Sequence, residues 1–331
     1  MRYLLSVVIL GMICVFSAGL LSAASAPPGW AYGFPPGTSG APPAAPAPPP
    51  AAAPDTSLKH LPGSSLAFTV PQIRDAFGPA DWYPGDHPPM PDVVSHGHRP
   101  DVRACGLCHY PNGKGRPENA GVAGLPNAYF IQQMLDFRNG DRKSAEPRKA
   151  NTNVMIAIAK GMTDAEIKEA AAYYGSMKWT PWIKVIETKM VPKTRIAGGM
   201  FLAKEDGEKE PLGARIIETP ENTEGTELLR DARSGFFAYV PVGSIKKGEA
   251  LVTNGAGKTT ACGVCHGADL KGLGPVPGLA GRSPSYMVRQ MFDMQQGARK
   301  GPWTDLMKPV VSKLSEDDML AIAAYTASRM P

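Results

Sequence analysis

The pentapeptide Cys105-Gly106-Leu107-Cys108-His109 returns 157 positions later as Cys262-Gly263-Val264-Cys265-His266, and nothing else in the chain restricts its folding as tightly. Two thiols at this spacing can each bond one vinyl group of a haem, and the histidine that follows is carried round to the iron. The chain has five cysteines; four lie in the two motifs and Cys14 lies in an apolar leader, so no thiols remain for a disulfide framework. A zinc site or a thiol redox pair is the competing reading of one such motif. It weakens here because a histidine follows both copies and no further Cys/His cluster completes a zinc shell. The expectation is two covalently attached haems c, on Cys105 with Cys108 and on Cys262 with Cys265, with His109 and His266 as axial iron ligands.

The duplication extends well past the motifs. The same shift superposes Tyr129, Gln133, Met134, Asp136, Gly140, Arg142 and Lys143 on Tyr286, Gln290, Met291, Asp293, Gly297, Arg299 and Lys300. Further on the offset becomes 152 and pairs Met155 with Met307, Ala171 with Ala323 and Tyr173 with Tyr325. Each copy is predicted to hold a helix over Tyr129 to Arg138 or Tyr286 to Gln296. A final amphipathic helix begins at Thr163 with Glu166 three residues on, or at Ser315 with Asp318. The fold class is therefore mainly α, two haem domains at 91–179 and 244–331 joined by an extended, partly β segment at 180–243. Within that segment, Ala214 to Thr219 and Gly235 to Val242 favour strands, as either a small β-rich insert or an interdomain strap.

The N-terminal part has other constraints. Residues 1–26 read as an export signal: one basic residue, an apolar run from Leu4 to Leu21, then small residues, with an uncleaved membrane anchor as the alternative. Either outcome puts the bulk of the chain in the periplasm. Residues 27–57, dominated by Pro and Ala, read as a tether, and 58–90 as an irregular extension packed on the first haem domain. The net charge of +5 is too weak an excess for a nucleic-acid binder.

What faces each iron opposite its histidine decides the chemistry, since a sixth ligand suppresses substrate reactions. Met155 and Met307, matched in the repeat and placed just before the final helices, are the candidates; Met134 and Met291 read as core packing. His60, His87, His96 and His98 have no counterparts near the second motif and read as loop or surface residues. The basic pairs Arg142-Lys143 and Arg299-Lys300 read as partners of haem propionates, as steering charges for an acidic redox protein, or as solvated charges at a helix end.

On these motifs the chain resembles the tandem dihaem class I cytochromes c of bacteria over Pro91 to Met177 and Lys246 to Met330. The resemblance implies small α-helical haem domains, export before haem attachment, and electron shuttling between a quinol-oxidising complex or dehydrogenase and a terminal oxidase. The expected function is electron transfer without bond-making catalysis, with redox proteins as partners and no catalytic residues. The alternatives are a cytochrome subunit of a membrane-associated dehydrogenase or oxidase and a dihaem enzyme such as a peroxidase. The tether and the long middle segment depart from the compact family pattern.

Overall fold

The computed structural model describes residues 26–35 and 55–331. The export signal before Ala26 and the stretch 36–54 of the Pro/Ala segment lie outside the described residues.

In the first copy, the helices Asn127–Asn139, Ala150–Gly161 and Asp164–Gly175 enclose a core that includes Val94, Met134, Phe137, Ile158, Ile167 and Tyr174. In the second, Pro284–Gln295, Thr304–Val311 and Glu316–Ser328 repeat that plan. Both final helices start on the capping boxes read from sequence, Thr163 with Glu166 and Ser315 with Asp318. Reciprocal side-chain bonds there satisfy N-terminal amides that have no partner inside the helix.

The copies differ in their opening helix. The second has three turns, Ser244–Asn254, packed across Glu316–Ser328, and a Cβ on Gly248 would overlap the Ala321 carbonyl oxygen. Only glycine permits backbones to approach this closely. The first copy has a single turn in that place, Asp92–Ser95.

Of the two readings of 180–243, the β-rich insert is the one that forms. Phe236–Val240 lies between Ile183–Glu187, to which it is parallel, and Ile217–Pro220, to which it is antiparallel. Alternate residues Phe236, Ala238 and Val240 point inward and are fully buried, the period of two that a strand imposes. A hairpin pairs Thr194–Ala197 with Met200–Ala203. Val191, Phe201, Leu212, Ile216, Ile217 and Val240 join the core of the second copy, so the insert is part of that core. The extension before the first copy has a small core of its own, Leu61, Ile73, Trp82 and Tyr83 closed by Leu229, and the Trp82 indole donates to the Leu229 carbonyl at 2.7 Å.

The head of the proposed tether is docked. Gly29–Tyr32 forms one helical turn with Trp30, Ala31 and Tyr32 buried in the second copy's core. Tyr32 donates to the Asp293 carboxylate at 2.7 Å, and Arg289 donates to the Ala31 carbonyl at 2.6 Å. Two buried aromatic rings, each worth roughly 1.5–3 kcal/mol of transfer free energy, supply the apolar area that Pro and Ala lack.

The halves meet around a local two-fold relation. Arg142 and Arg299 face each other in an antiparallel bridge, and Lys143 N–H donates to the Ala298 carbonyl while Lys300 N–H donates to its repeat equivalent, Asp141. The side chains cross: Arg142 donates to Gln133, Tyr286 and Gln290, and Arg299 donates to Gln290, Tyr129 and Gln133, at 2.6 to 3.0 Å.

Candidate functional site

Each motif forms a short helical segment, Cys105–His109 and Gly263–His266; Cys108 and His109 face one cavity, and Cys262, Cys265 and His266 face another. The first cavity, about 570 Å³, is lined by Cys108, His109, Phe130, Met134, Phe137 and Met155 among others. The second, about 240 Å³, is lined by Cys262, Cys265, His266, Met291, Met307 and Leu314 among others. Leu125, Tyr129, Gln133, Tyr286 and Gln290 line both, so one wall separates the two cavities at the two-fold contact.

The imidazoles are held alike. His109 Nδ1 lies 2.8 Å from the Ala120 carbonyl oxygen and His266 Nδ1 lies 2.7 Å from that of Pro277, residues 157 apart like the histidines themselves. A carbonyl only accepts, so Nδ1 carries the proton and Nε2 keeps its lone pair for the cavity. Burial holds both histidines below their ordinary pKa against those bonds, which keeps the rings neutral as a metal ligand requires. Desolvation pushes the Cys105 thiol up to about 12 and Cys262 up to about 11. Among the described residues no group of three or more His, Cys, Asp and Glu could hold a metal ion. The donor set, one or both motif thiols with a neutral imidazole and a thioether in one largely apolar cavity, fits haem c.

Met155 and Met307 lie on the helices before the final ones, Ala150–Gly161 and Thr304–Val311, each lining the cavity of its own motif. Met134 and Met291 also line the cavities while belonging to the buried cores. The loop histidines do not line either cavity. His87 is not a surface residue: Nε2 lies 3.0 Å from Asp81, and Nδ1 lies near the Pro88 carbonyl and the Tyr173 hydroxyl. His98 pairs with Glu166 at 3.2 Å, His96 lies 2.9 Å from the Ser95 hydroxyl, and His60 is exposed.

For Arg142 and Arg299, though not for the exposed Lys143 and Lys300 beside them, the structure corrects two of the three readings of the basic pairs. Both guanidiniums are buried in the crossed contact, so they neither form a solvated helix-end pair nor steer a distant partner. Each lines the cavity of its own copy. Lys149, whose amine burial pushes down to about 7, lines the first cavity with no counterpart in the second, and its Nζ donates to the Tyr32 carbonyl at 3.3 Å. Sequence reasoning missed the anchoring carbonyls and the crossed Tyr and Gln. The signal that exposes the latter is their retention at one fixed offset beside Arg142 and Arg299.

No protein-family model matches the chain. It is 38% identical over 236 residues to the thiosulfate dehydrogenase electron acceptor of Stutzerimonas stutzeri, covering 70% of this chain and 82% of that protein. It is 42% identical over 225 residues to cytochrome c4 of Pseudomonas aeruginosa, covering 67% and 81%. Among solved structures, reduced recombinant cytochrome c4 from Pseudomonas stutzeri aligns with 68% of this chain and 93% of its own, at 20% identity and a TM-score of 0.45.

Proposed function

From the premise that this chain belongs to the dihaem class I cytochromes c, the family of cytochrome c4 and the thiosulfate dehydrogenase electron acceptors, we propose that it relays single electrons through two haems c. It is an electron-transfer protein rather than an enzyme, and its cofactor is covalently bound haem c. In the proposal Cys105 and Cys108 hold one haem and Cys262 and Cys265 the other. His109 with Met155, and His266 with Met307, would hold the irons. Bound there, haem c would supply a one-electron ferric/ferrous couple.

The protein's part is to keep the ligands in place in both states. The Ala120 and Pro277 carbonyls orient the imidazoles, and a thioether ligand favours the ferrous state and raises the potential. Arg142 and Arg299, lining the cavities, would neutralise the haem carboxylates. The observation that carries this reading is the matched set itself: in both copies a carbonyl-anchored histidine and a methionine from the equivalent helix line one cavity.

The proposed setting is the periplasm. The proposed donor is a dehydrogenase that oxidises a reduced sulfur compound, because the relative in Stutzerimonas stutzeri is named as the electron acceptor of thiosulfate dehydrogenase. Among the described residues no helix is long and apolar enough to cross a membrane.

Intact mass of the mature protein, with spectra in both oxidation states, tests the assignment. Two haem additions that survive acid-acetone extraction are expected, and extractable colour or a single addition would reject it. Met155→Ala or Met307→Ala should each remove one near-infrared sulfur-to-iron(III) band. Each should lower one potential by a sizeable part of the roughly 0.8 V range that axial ligands span.

A further inference from the structure

The two cavities fit the same cofactor, but among the described residues only the first has a buried amine in its wall. Lys149 is 4% exposed and lies immediately before Ala150–Gly161, the helix that carries Met155. At the offset that pairs Met155 with Met307, Gly301 stands opposite Lys149, and the described residues lining the second cavity include no lysine. The cover over this amine comes from the docked turn and the insert, which depart from the duplicated plan. Nζ donates to the Tyr32 carbonyl at 3.3 Å, and a Cβ on Gly199, at the turn of the hairpin, would meet Nζ at 3.4 Å. Gly33 sits at φ +80°, where a Cβ would overlap the Gly199 carbonyl, so turn and hairpin close on each other beside Lys149.

The charges that face Lys149 are otherwise engaged. Glu118 lies 2.6 Å from Arg116, and Glu146 pairs with Arg148 at 2.7 Å. On Pro284–Gln295, Asp293 accepts from the Tyr32 hydroxyl and the Ala145 N–H, while Arg289 adds a second buried cation. Tyr32 stays protonated, because burial beside Asp293 pushes its phenol far up. Arg195, the charged residue of the hairpin, turns out to Glu227, and Arg142 in the same cavity wall is a permanent cation. Among the described residues no carboxylate lies within ion-pair distance of Nζ; burial outweighs Glu118 and Asp293 and pushes the amine down to about 7. An ammonium placed here is unfavourable until its surroundings gain negative charge.

Building on the two-haem reading above, we infer that Lys149 couples electron uptake at the first site, and not at the second, to a proton. Lys149 Nζ takes up one proton from solvent when the first iron(III) accepts one electron from the donor protein and becomes iron(II), and returns it when the electron leaves. Each charge favours the other. In a protein interior with an effective dielectric constant of about 20, unit charges roughly 12 Å apart shift each other's equilibria about tenfold. The first potential is therefore highest in acid and falls as the pH rises through the titration of Lys149. Two sites with equivalent ligands become unequal acceptors, and the first site's share of the electrons grows as the pH falls. The haem carboxylates, common to both sites, have the second site as their control.

The test is a potentiometric titration of the full holoprotein between about pH 5 and about pH 9, with each iron followed by its own paramagnetically shifted haem-methyl resonances. In the wild type the first potential should fall across this range by about 59 mV more than the second, the value of a tenfold linkage for one electron. Lys149→Met should hold the first potential near the wild-type alkaline value and Lys149→Arg near the acid value, with the second potential unmoved in both. Equal pH slopes at the two irons, or a slope at the first that survives in Lys149→Met, would overturn the inference. Denaturant unfolding reads the same charge without electron transfer. An amine with a lowered folded-state pKa destabilises most below about pH 7, and this cost fades as the pH approaches the ordinary lysine value near 10.4. The stability of Lys149→Met relative to wild type should therefore be greatest in acid and decline as the pH rises, and a difference constant with pH would also overturn the inference. Haem counting by mass separates either failure from failure of the two-haem reading.

Discussion

At the scale of single residues, Asp318 shows how opposing effects on one carboxyl are resolved. Burial pushes its pKa up, but hydrogen bonds from Lys247, Lys258 and the Ser315 hydroxyl and backbone N–H outweigh that and hold it well below the carboxylate range. The side chain caps Glu316–Ser328 through Oδ2, 2.9 Å from the Ser315 hydroxyl, while Lys258 donates to it at 2.8 Å. A carboxyl with a depressed folded-state pKa adds stability that is fully present above its unfolded value, near 3.9, and is lost as the pH falls through the folded value. Asp318→Asn should therefore cost about 1–3 kcal/mol in denaturant unfolding at pH 7, with the gap to wild type narrowing below about pH 4. Glu166, the equivalent cap in the first copy, is half-buried and has no lysine partner of this kind. Glu166→Gln should cost only about 0.5 kcal/mol, since Gln also completes a capping box. A pH-independent deficit for Asp318→Asn would show that the lysine pairs do not set its contribution.

Among the elements, the crossing of Ser244–Asn254 over Glu316–Ser328 has the least tolerance, because Gly248 lets the first helix touch the Ala321 carbonyl. Gly248→Val should destabilise the second copy by about 2–4 kcal/mol through forced separation of the helices, read as a fall in the denaturant midpoint without a change in slope. Pro91, the residue at the repeat-equivalent position, precedes only a single turn, so the first copy has no such crossing to break. That difference also explains what was readable from sequence. The helices Asn127–Asn139 and Pro284–Gln295 and both capping boxes were legible because each rests on local spacing. The haem motifs were legible because thioether chemistry fixes the interval between two thiols and a histidine. The docked turn at Gly29–Tyr32 was hidden, since Trp30 and Tyr32 are isolated aromatics in a Pro/Ala-rich window and their partner Asp293 is 261 residues away. The Ala120 and Pro277 anchors were hidden for another reason: a backbone carbonyl has no side-chain signature. The three readings of Arg142 and Arg299 could not be separated from sequence, because part of what buries each, Tyr286 and Gln290 for Arg142 and Tyr129 and Gln133 for Arg299, comes from the opposite half.

For the whole molecule, the crossed arginines bind the halves into one unit at an electrostatic cost. Two guanidiniums are buried beside each other, and the partners named for them are neutral amides and phenols. Burying cations with neutral hydrogen-bond partners is unfavourable unless every donor and acceptor is used; here each Gln carbonyl accepts from both arginines, Arg299 Nε is left without a hydrogen-bond partner, and the nearby Asp136 and Asp293 carboxylates supply the opposite charge. Replacing both by leucine removes the charges but leaves Tyr129, Gln133, Tyr286 and Gln290 short of donors, at about 1–3 kcal/mol for each group left unpaired. Other bonds also cross the contact: Arg282 donates to the Gly121 and Ala123 carbonyls, and Arg289 to that of Pro117. The halves of Arg142→Leu/Arg299→Leu should therefore stay together at room temperature yet unfold separately on heating. Calorimetry of the holoprotein should show one wild-type transition divide into two, with the first copy melting earlier because it lacks the long opening helix. A single transition in the double variant would mean that the Arg282 and Arg289 bonds and the docked N-terminal turn couple the halves unaided. The crossed arginines would then serve the cavities they line rather than the contact.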